Sequence, residues 1–317
     1  MTEALLTIRD LRVSFGPGKD AVTGLSLTAN RGDTVAIVGE SGCGKTLSAL
    51  SLCGLLPSGA KATGSAVLGA TELIGRSERE LRRIRGSKVS MIFQDAATAL
   101  NPLMTVGAQI EEVLAIHRSA GRTARRERAV TLLESVGVPD ARNRARSLPH
   151  ELSGGMRQRV MIAIALAGSP DLVIADEPTT ALDVTVQAQV LALLRESTES
   201  SVVLFITHDM GVVAEIADQV VVMYAGAAVE SGPVADILER PKHPYTAALL
   251  ASVPDPDRPV VGELPTIPGR VPPLGERGTG CPFRARCPRQ TERCAHLPEL
   301  TETGGTLVAC WHPENTT

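Results

Sequence analysis

Apolar and polar residues alternate at period two through Leu6-Thr7-Ile8-Arg9, Leu11-Arg12-Val13-Ser14-Phe15 and Leu25-Ser26-Leu27-Thr28. Such alternation places one side of a strand in a core and the other in water, and it predicts half-buried antiparallel strands. The turn Gly16-Pro17-Gly18-Lys19-Asp20 interrupts them. The pattern then changes. Thr34-Val35-Ala36-Ile37-Val38 is almost wholly apolar and reads as a buried strand, as does Val89-Ser90-Met91-Ile92-Phe93. Lys45 to Leu56 predicts a helix closed by Pro57, because the residue before a proline is pushed out of the helical region. Val106–His117 and Thr123–Val136 carry helical periodicity with Arg and Glu on their outer faces, and they read as a helical block inserted into an α/β core. Beyond them strand and helix alternate through Leu172–Ala175, Val184–Glu196, Val202–Thr207, Gly211–Ala217 and Val220–Tyr224. That order implies a parallel sheet covered by helices on both faces. From about Pro233 the composition shifts. Pro254, Pro256, Pro259, Pro265, Pro268, Pro272 and Pro273 exclude a continuous helix or a central strand, which predicts a linker or irregular appendage.

At 317 residues the chain can hold one large α/β domain and a smaller appendage. A net charge of -3 argues against a protein that coats nucleic acid, and 2% aromatic content argues against stacking platforms for single-stranded bases. The N-terminus shows no basic segment followed by an apolar one, so no signal peptide is expected. The longest apolar runs, Val160 to Ala167 and Val202 to Ile206, fall well short of the roughly 20 residues of a membrane helix. The chain is expected in the cytosol, reaching a membrane only through a partner.

The segment Gly39-Glu40-Ser41-Gly42-Cys43-Gly44-Lys45-Thr46 matches G-x-x-x-x-G-K-[ST] and lies between a buried strand and a helix. Glycines let the backbone curl so that successive N–H groups face phosphate oxygens, and the following helix adds its positive end. Lys45 would reach the β- and γ-phosphates, and the Thr46 hydroxyl would bind Mg²⁺. A chance glycine-rich turn is the plain alternative, but the strand–loop–helix context speaks against it. The apolar strand ending in Asp176-Glu177 places two adjacent carboxylates at a strand tip. That is costly unless a cation or a reacting water uses them. Ser153-Gly154-Gly155 precedes a predicted helix Met156–Ala167 and offers a second anion site at a helix start.

Six cysteines divide into Cys43 and Cys53 near the loop and four in the tail, spaced Cys281-x5-Cys287-x6-Cys294-x15-Cys310. In a reducing compartment such clustering suggests metal or cluster ligation rather than disulfides. Structural zinc usually shows a close C-x₂₋₄-C pair, and none occurs here. Four thiolates without a close pair suit a 4Fe–4S cluster, with zinc or simply reduced thiols as alternatives. Arg284, Arg286, Arg289 and Arg293 interleave with them and would offset a cluster's negative charge, or lie solvated.

The phosphate loop, the run Leu152-Ser153-Gly154-Gly155-Met156-Arg157-Gln158-Arg159 and the strand ending in Asp176-Glu177, in that order, resemble the ATP-binding-cassette (ABC) ATPases. The resemblance implies a P-loop NTPase (RecA-like) ABC nucleotide-binding domain over 1–240. That domain would have an antiparallel β N-terminal subdomain, an inserted helical subdomain at about 95–160 and an irregular cysteine-rich extension over 241–317. By resemblance Asp176 holds Mg²⁺ through water, Glu177 polarises the attacking water, and Gln94 senses both. His208 contacts the γ-phosphate, Asp183 crosses a dimer seam, and Phe15 stacks on adenine, although a plain core phenylalanine is nearly as good a reading of Phe15. Ser153, Gly154 and Gly155 would bind the γ-phosphate held by the opposite subunit, so catalysis needs a head-to-tail pair.

Further segments resemble the ATPases of oligopeptide, dipeptide and nickel importers: Phe93-Gln94-Asp95, Leu100-Asn101-Pro102, Ala181-Leu182-Asp183-Val184, His243-Pro244-Tyr245-Thr246, Ile267-Pro268-Gly269 and Cys281-Pro282-Phe283-Arg284. Some members of that family carry a 4Fe–4S cluster in this region. The implied partners are two transmembrane permeases, a second similar ATPase or another copy of this chain, and an extracytoplasmic solute-binding protein, with no nucleic acid. The expected location is the cytoplasmic face of the cell membrane. A nickel or other small-solute importer is an alternative. A DNA- or ribosome-directed ABC ATPase is disfavoured by the single P-loop and the short insert between Gln94 and Ser153. A tail that reports redox or iron status to the motor is a further reading.

Overall fold

The computed structural model describes residues 4–117, 121–180, 182–253 and 266–314. The chain opens on long antiparallel strands β1 (Leu6–Ser14) and β2 (Asp20–Ala29), then β3 (Thr34–Val38) and the helix Lys45–Leu52. Next come β4 (Lys61–Leu68), β5 (Thr71–Glu72), the helix Glu78–Ile84 and β6 (Val89–Ile92). Helices then dominate, chiefly Val106–His117, Arg122–Ser135 and Gly154–Leu166. They are followed by β7 (Leu172–Asp176), the helix Val184–Ser197, β8 (Val202–Thr207), the helix Met210–Ile216, β9 (Gln219–Tyr224) and β10 (Ala227–Pro233). Helices Val234–Glu239 and Pro244–Ala251 lead to a tail whose last strands are β11 (Thr301–Thr303) and β12 (Thr306–Val308).

Two sheets result. One is antiparallel in the order β2-β1-β4-β5; the other runs β11-β12-β10-β9-β3-β8-β7-β6. The centre of the second is parallel, with β3 between β8 and β9 and β7 between β8 and β6. Period-two alternation assigns each central strand to two cores. Leu172, Ile174, Leu204 and Ile206 face the core shared with the antiparallel sheet and the helix Lys45–Leu52. Val173, Ala175, Val203 and Phe205 face the long helices. The phosphate-loop helix is thereby held between two sheets.

Three expectations are revised. The helix predicted to Leu56 stops at Leu52, since Gly54 turns left-handed at φ +62° and a Cβ there would meet a Leu81 methyl at 2.4 Å. The sheet is mixed, because β10 runs antiparallel to β9 and carries β12 and β11 beyond it. Among the described residues after Pro233 there is more regular structure than a linker has: Pro244 starts a helix, where its missing N–H costs nothing, and β12 and β11 join the main sheet. Pro254, Pro256, Pro259 and Pro265 lie outside the described residues. Among the described residues no helix is long and apolar enough to cross a membrane.

Candidate functional site

The strands β3, β7 and β8 end side by side, and the loops that leave them meet at one cleft of about 490 Å³. Ser41, Gly42, Gly44, Lys45, Thr46, Leu47, Gln94, Glu177 and His208 line it. The loop after β3 can only be built from glycine at its crossings. At Gly39 (φ +149°) a Cβ would fall 2.1 Å from the Met223 carbonyl oxygen, and at Gly44 (φ +105°) 2.6 Å from that of Ala21. Lys45, 6% exposed, donates to the Gly39 carbonyl at 2.7 Å and the Glu40 carbonyl at 3.1 Å, which fixes its ammonium across the loop. Cys43 is fully buried beneath it, with Sγ 3.8 Å from Lys45 Nζ.

Across the cleft Thr46 donates its hydroxyl proton to Asp176 Oδ1 at 3.2 Å. Burial pushes the Asp176 carboxyl above the usual range, the Thr46 hydrogen bond opposing it. A divalent cation at this pair would supply the charge that the buried carboxylate lacks, so the residues present fit Mg²⁺. Glu177 follows in the left-handed region at φ +46°. That conformation costs a non-glycine residue about 1–3 kcal/mol. It is maintained by the Glu177 N–H, which donates to the Ile206 carbonyl on β8 at 2.9 Å. The strained turn aims the carboxylate at three groups. Gln94 Nε2 and Thr180 Oγ1 each donate to Oε2 at 3.0 Å, and His208 Nδ1 lies 3.2 Å from Oε1.

Other expected site residues lie apart from the cleft. Ser153 is exposed and caps the helix Gly154–Leu166, its hydroxyl accepting from the Met156 N–H at 3.3 Å. Gly154 has open space around it, whereas a Cβ on Gly155 would meet Val186 at 3.1 Å. Asp183 caps the helix Val184–Ser197 by accepting from the Val186 N–H at 2.9 Å. Ala181, between it and Thr180, lies outside the described residues. Phe15 sits half-buried at the end of β1 and does not line the cleft. A larger cleft of about 680 Å³ opens among the helices, between Arg122, Arg126, Arg142 and Arg146 and the acids Glu111 and Glu127, and holds none of these motif residues.

The ABC transporter family model matches residues 22–180, which span the loop, the Ser153 helix and Glu177. The chain belongs to the ABC transporter family. A second model, described as the oligopeptide/dipeptide transporter C-terminal region, matches residues 229–294. The oligopeptide transport ATP-binding protein OppD of Escherichia coli is 48% identical over 98% of this chain and 94% of its own length. The dipeptide transport ATP-binding protein DppD of Bacillus subtilis is 47% identical over 98% and 95%. Among solved structures, the ATP-binding cassette MJ0796, a dimer in a post-hydrolysis state with ADP and phosphate, aligns with TM-score 0.63 and 28% identity over 72% of this chain and 98% of that one.

In this ABC chain the four tail cysteines are free and line one small cavity together with His243, Phe283, Arg289, Trp311 and His312. Burial raises the thiol pKa of Cys281, Cys287 and Cys310, the last to about 11. His243, 1% exposed, also lines this cavity, and its Nε2 has no hydrogen-bond partner. Among the described residues, however, no three His, Cys, Asp or Glu side chains are placed to hold a metal ion, which counts against a zinc knot and leaves the cluster without direct support. The interleaved arginines are not simply counter-charges. Arg286 pairs with Glu40, Arg289 with Glu314, and Arg293 stacks over Trp311 at 4.6 Å.

Sequence reasoning missed Thr180 as a partner of Glu177, and the tail residues that touch the phosphate loop. The Glu40 N–H donates to the Tyr245 hydroxyl at 3.0 Å, and Arg277 donates to the Gly42 carbonyl at 3.3 Å. Glu40 and Gly42 are variable positions of the loop pattern, so no motif announces a contact there.

Proposed function

We propose that this chain is the ATP-hydrolysing subunit that energises an importer of oligopeptides or dipeptides. The observation that carries it is the placement of Glu177, at the mouth of the phosphate-loop cleft and held by Gln94, Thr180 and His208. The near full-length relatives are named as oligopeptide and dipeptide transport proteins, which favours peptides over nickel. In this reading Lys45 and the loop N–H groups bind the β- and γ-phosphates of ATP. Thr46 and Asp176 would hold Mg²⁺, which would neutralise phosphate charge, and Gln94 would sense its presence. Glu177 accepts a proton from the attacking water, and His208 orients the γ-phosphate. Gly39, Ser41, Gly42, Cys43 and Gly44 shape the loop, and Phe15 offers the adenine a ring.

A second ATPase, similar or identical, supplies its own Ser153-Gly154-Gly155 segment to this cleft, with Asp183 at the seam. The ATP-binding domain covers 1–240, with a helical subdomain at about 95–160 and an importer-type extension over 241–317. Two permeases dock near Gln94 and the helical block, where Leu103 is 88% and Ile116 66% exposed. In this reading the chain works at the cytoplasmic face of the membrane, served by an extracytoplasmic solute-binding protein. The test is peptide-stimulated ATP hydrolysis in vesicles holding the two permeases, with peptide-loaded binding protein added. Hydrolysis indifferent to peptide but responsive to nickel would transfer the assignment to the alternative solute.

The tail cysteines Cys281, Cys287, Cys294 and Cys310 are proposed to hold a 4Fe–4S cluster, which would tie the tail together. What favours it is a single cavity lined by four free thiols and an unpartnered buried His243 nitrogen. A cluster is larger than a single ion, so its ligands stand further apart than zinc would require. Protein prepared without oxygen should contain roughly four irons per chain, lost in any Cys→Ser variant of the four and kept in Cys43→Ser. One zinc and no iron, or neither metal, would end this assignment.

A further inference from the structure

Two arginines of the tail end on the phosphate-binding loop. Arg286, its side chain 6% exposed, donates through Nη1 to both Glu40 carboxylate oxygens at 2.8 and 3.1 Å. Its other two nitrogens are also engaged. Nε donates to the Pro268 carbonyl at 2.7 Å and Nη2 to the Ile267 carbonyl at 3.1 Å, while the Tyr224 hydroxyl lies 3.3 Å from Nη1. Arg277 donates through Nη1 to the carbonyls of Asp20 at 2.9 Å and Ala21 at 3.3 Å, and through Nη2 to that of Gly42 at 3.3 Å. Neither arginine lines the cleft.

The chemistry at Glu40 is the telling part. A loop that must receive a polyanion carries a carboxylate, and the nearly buried guanidinium is its counter-charge. Removing one member of such a pair leaves the other uncompensated in a poorly solvated place. An unpaired Glu40 would repel incoming phosphate as well as free the loop. The planar fork, with four separate acceptors around it, is a task that a lysine cannot reproduce. Arg277 acts on the same loop two residues later, tying the Gly42 carbonyl to the start of β2.

We propose that Arg286 and Arg277 are positioning residues of the nucleotide site. The tail braces the phosphate loop from outside the cleft and cancels the charge of Glu40, so that ATP affinity depends on how the tail is seated. This rests on the assignment of the loop as the ATP site. It also gives the cysteine site a short route to the motor, since Arg286 immediately precedes Cys287.

The experiment is a direct ATP-binding titration of the full chain, with thermal melting of each variant alongside. Arg286→Ala should weaken ATP about tenfold, equivalent to about 1.4 kcal/mol. In the assembled transporter it should raise KM for ATP and leave kcat unchanged. Arg277→Ala should act in the same direction, and Arg286→Lys should fall between wild type and alanine. Arg286→Ala combined with Glu40→Gln should recover most of the lost affinity, because the stranded charge is gone, a rescue that general loosening of the tail would not give. Arg82→Ala, which breaks an exposed pair with Glu78, is the control. If Arg286→Ala does not fold, Arg286→Lys carries the test. Affinity within about twofold of wild type in a folded Arg286→Ala variant, wild-type affinity in Arg286→Lys, or a double variant no better than Arg286→Ala, would overturn the proposal. Wild-type affinity in Lys45→Ala would instead defeat the assignment of the loop.

Discussion

Replacing Glu177 with glutamine changes a single oxygen to an amide nitrogen, and the surroundings are nearly indifferent to the swap. If the amide oxygen keeps the place of Oε2, Gln94 and Thr180 still donate to it, each from 3.0 Å in the wild type. The new NH₂ then faces His208 Nδ1, 3.2 Å from the present Oε1, which accepts in the matching neutral tautomer. The left-handed backbone at φ +46° is unchanged. Stability should therefore move by no more than about 1 kcal/mol, the net worth of one hydrogen bond. The chemistry changes far more, since an amide cannot take a proton from the attacking water. A positioned general base contributes about 10²–10⁴ in rate, or about 2.7–5.4 kcal/mol at 1.36 kcal/mol per decade. Phosphate release in the permease-containing complex should fall by about two to four orders of magnitude while ATP affinity stays near wild type. The ATP-bound pair should accumulate as a closed dimer in light scattering. Turnover above about a tenth of the wild-type rate in a variant that binds ATP normally would refute the role of Glu177.

Lys45→Ala removes the ammonium that spans the loop and should abolish ATP binding; retained micromolar affinity would count against the loop assignment. Ser153→Arg should block turnover in the assembled pair while leaving ATP binding to the variant's own loop intact, and normal hydrolysis there would remove the cross-subunit role. Burial pushes His243 down to about 3, so between that value and its ordinary 6.5 the unfolded chain holds a proton that the folded one refuses. Its contribution to stability is thus present above pH 6.5 and lost as pH falls toward 3, at up to about 1.4 kcal/mol per pH unit. His243→Asn keeps an acceptor for the Tyr245 N–H and removes the titration, so its urea midpoint should fall less steeply from pH 6.5 to 5. Equal slopes in the two proteins would show that His243 does not titrate on unfolding.

Local pattern made the central strands legible. In Thr34–Val38 and Val202–Thr207 burial on both faces is written as an unbroken apolar run, and the helix Val106–His117 appears with the bounds its periodicity sets. The strand Lys61–Leu68 escaped notice because its first half, Lys61-Ala62-Thr63-Gly64, is polar or small and its partner is the distant β1. The closing strands have three residues each, too few for any period to show. The site divides in the same way. Lys45 and Thr46 open a helix, Asp176 closes a strand with Glu177 directly after it, and all four are marked by adjacent motifs. That Gln94 and His208 should converge on Glu177 depends on β6, β7 and β8 being neighbours, which the order of residues along the chain does not state.

The few aromatic residues sharpen the case that tail and phosphate loop form one body. The chain has two tyrosines and four phenylalanines, and both tyrosines meet Phe283 in a single cluster. Ring centroids lie 4.7 Å apart for Tyr224 and Tyr245, and 5.1 and 5.3 Å from each to Phe283. Tyrosine joins an apolar body to a polar tip, and here the two tips are used differently. The Tyr245 hydroxyl receives the Glu40 N–H, while the Tyr224 hydroxyl meets the arginine that holds the Glu40 carboxylate. Burial raises both phenols, so neither ionises near neutral pH to add charge beside the loop. Two of the three ring pairs pack edge to face and the third is tilted, and the two hydroxyls reach Glu40, one directly and one through Arg286. A tail too poor in apolar residues for a core of its own is therefore packed into the domain's core at the point where that core supports the loop.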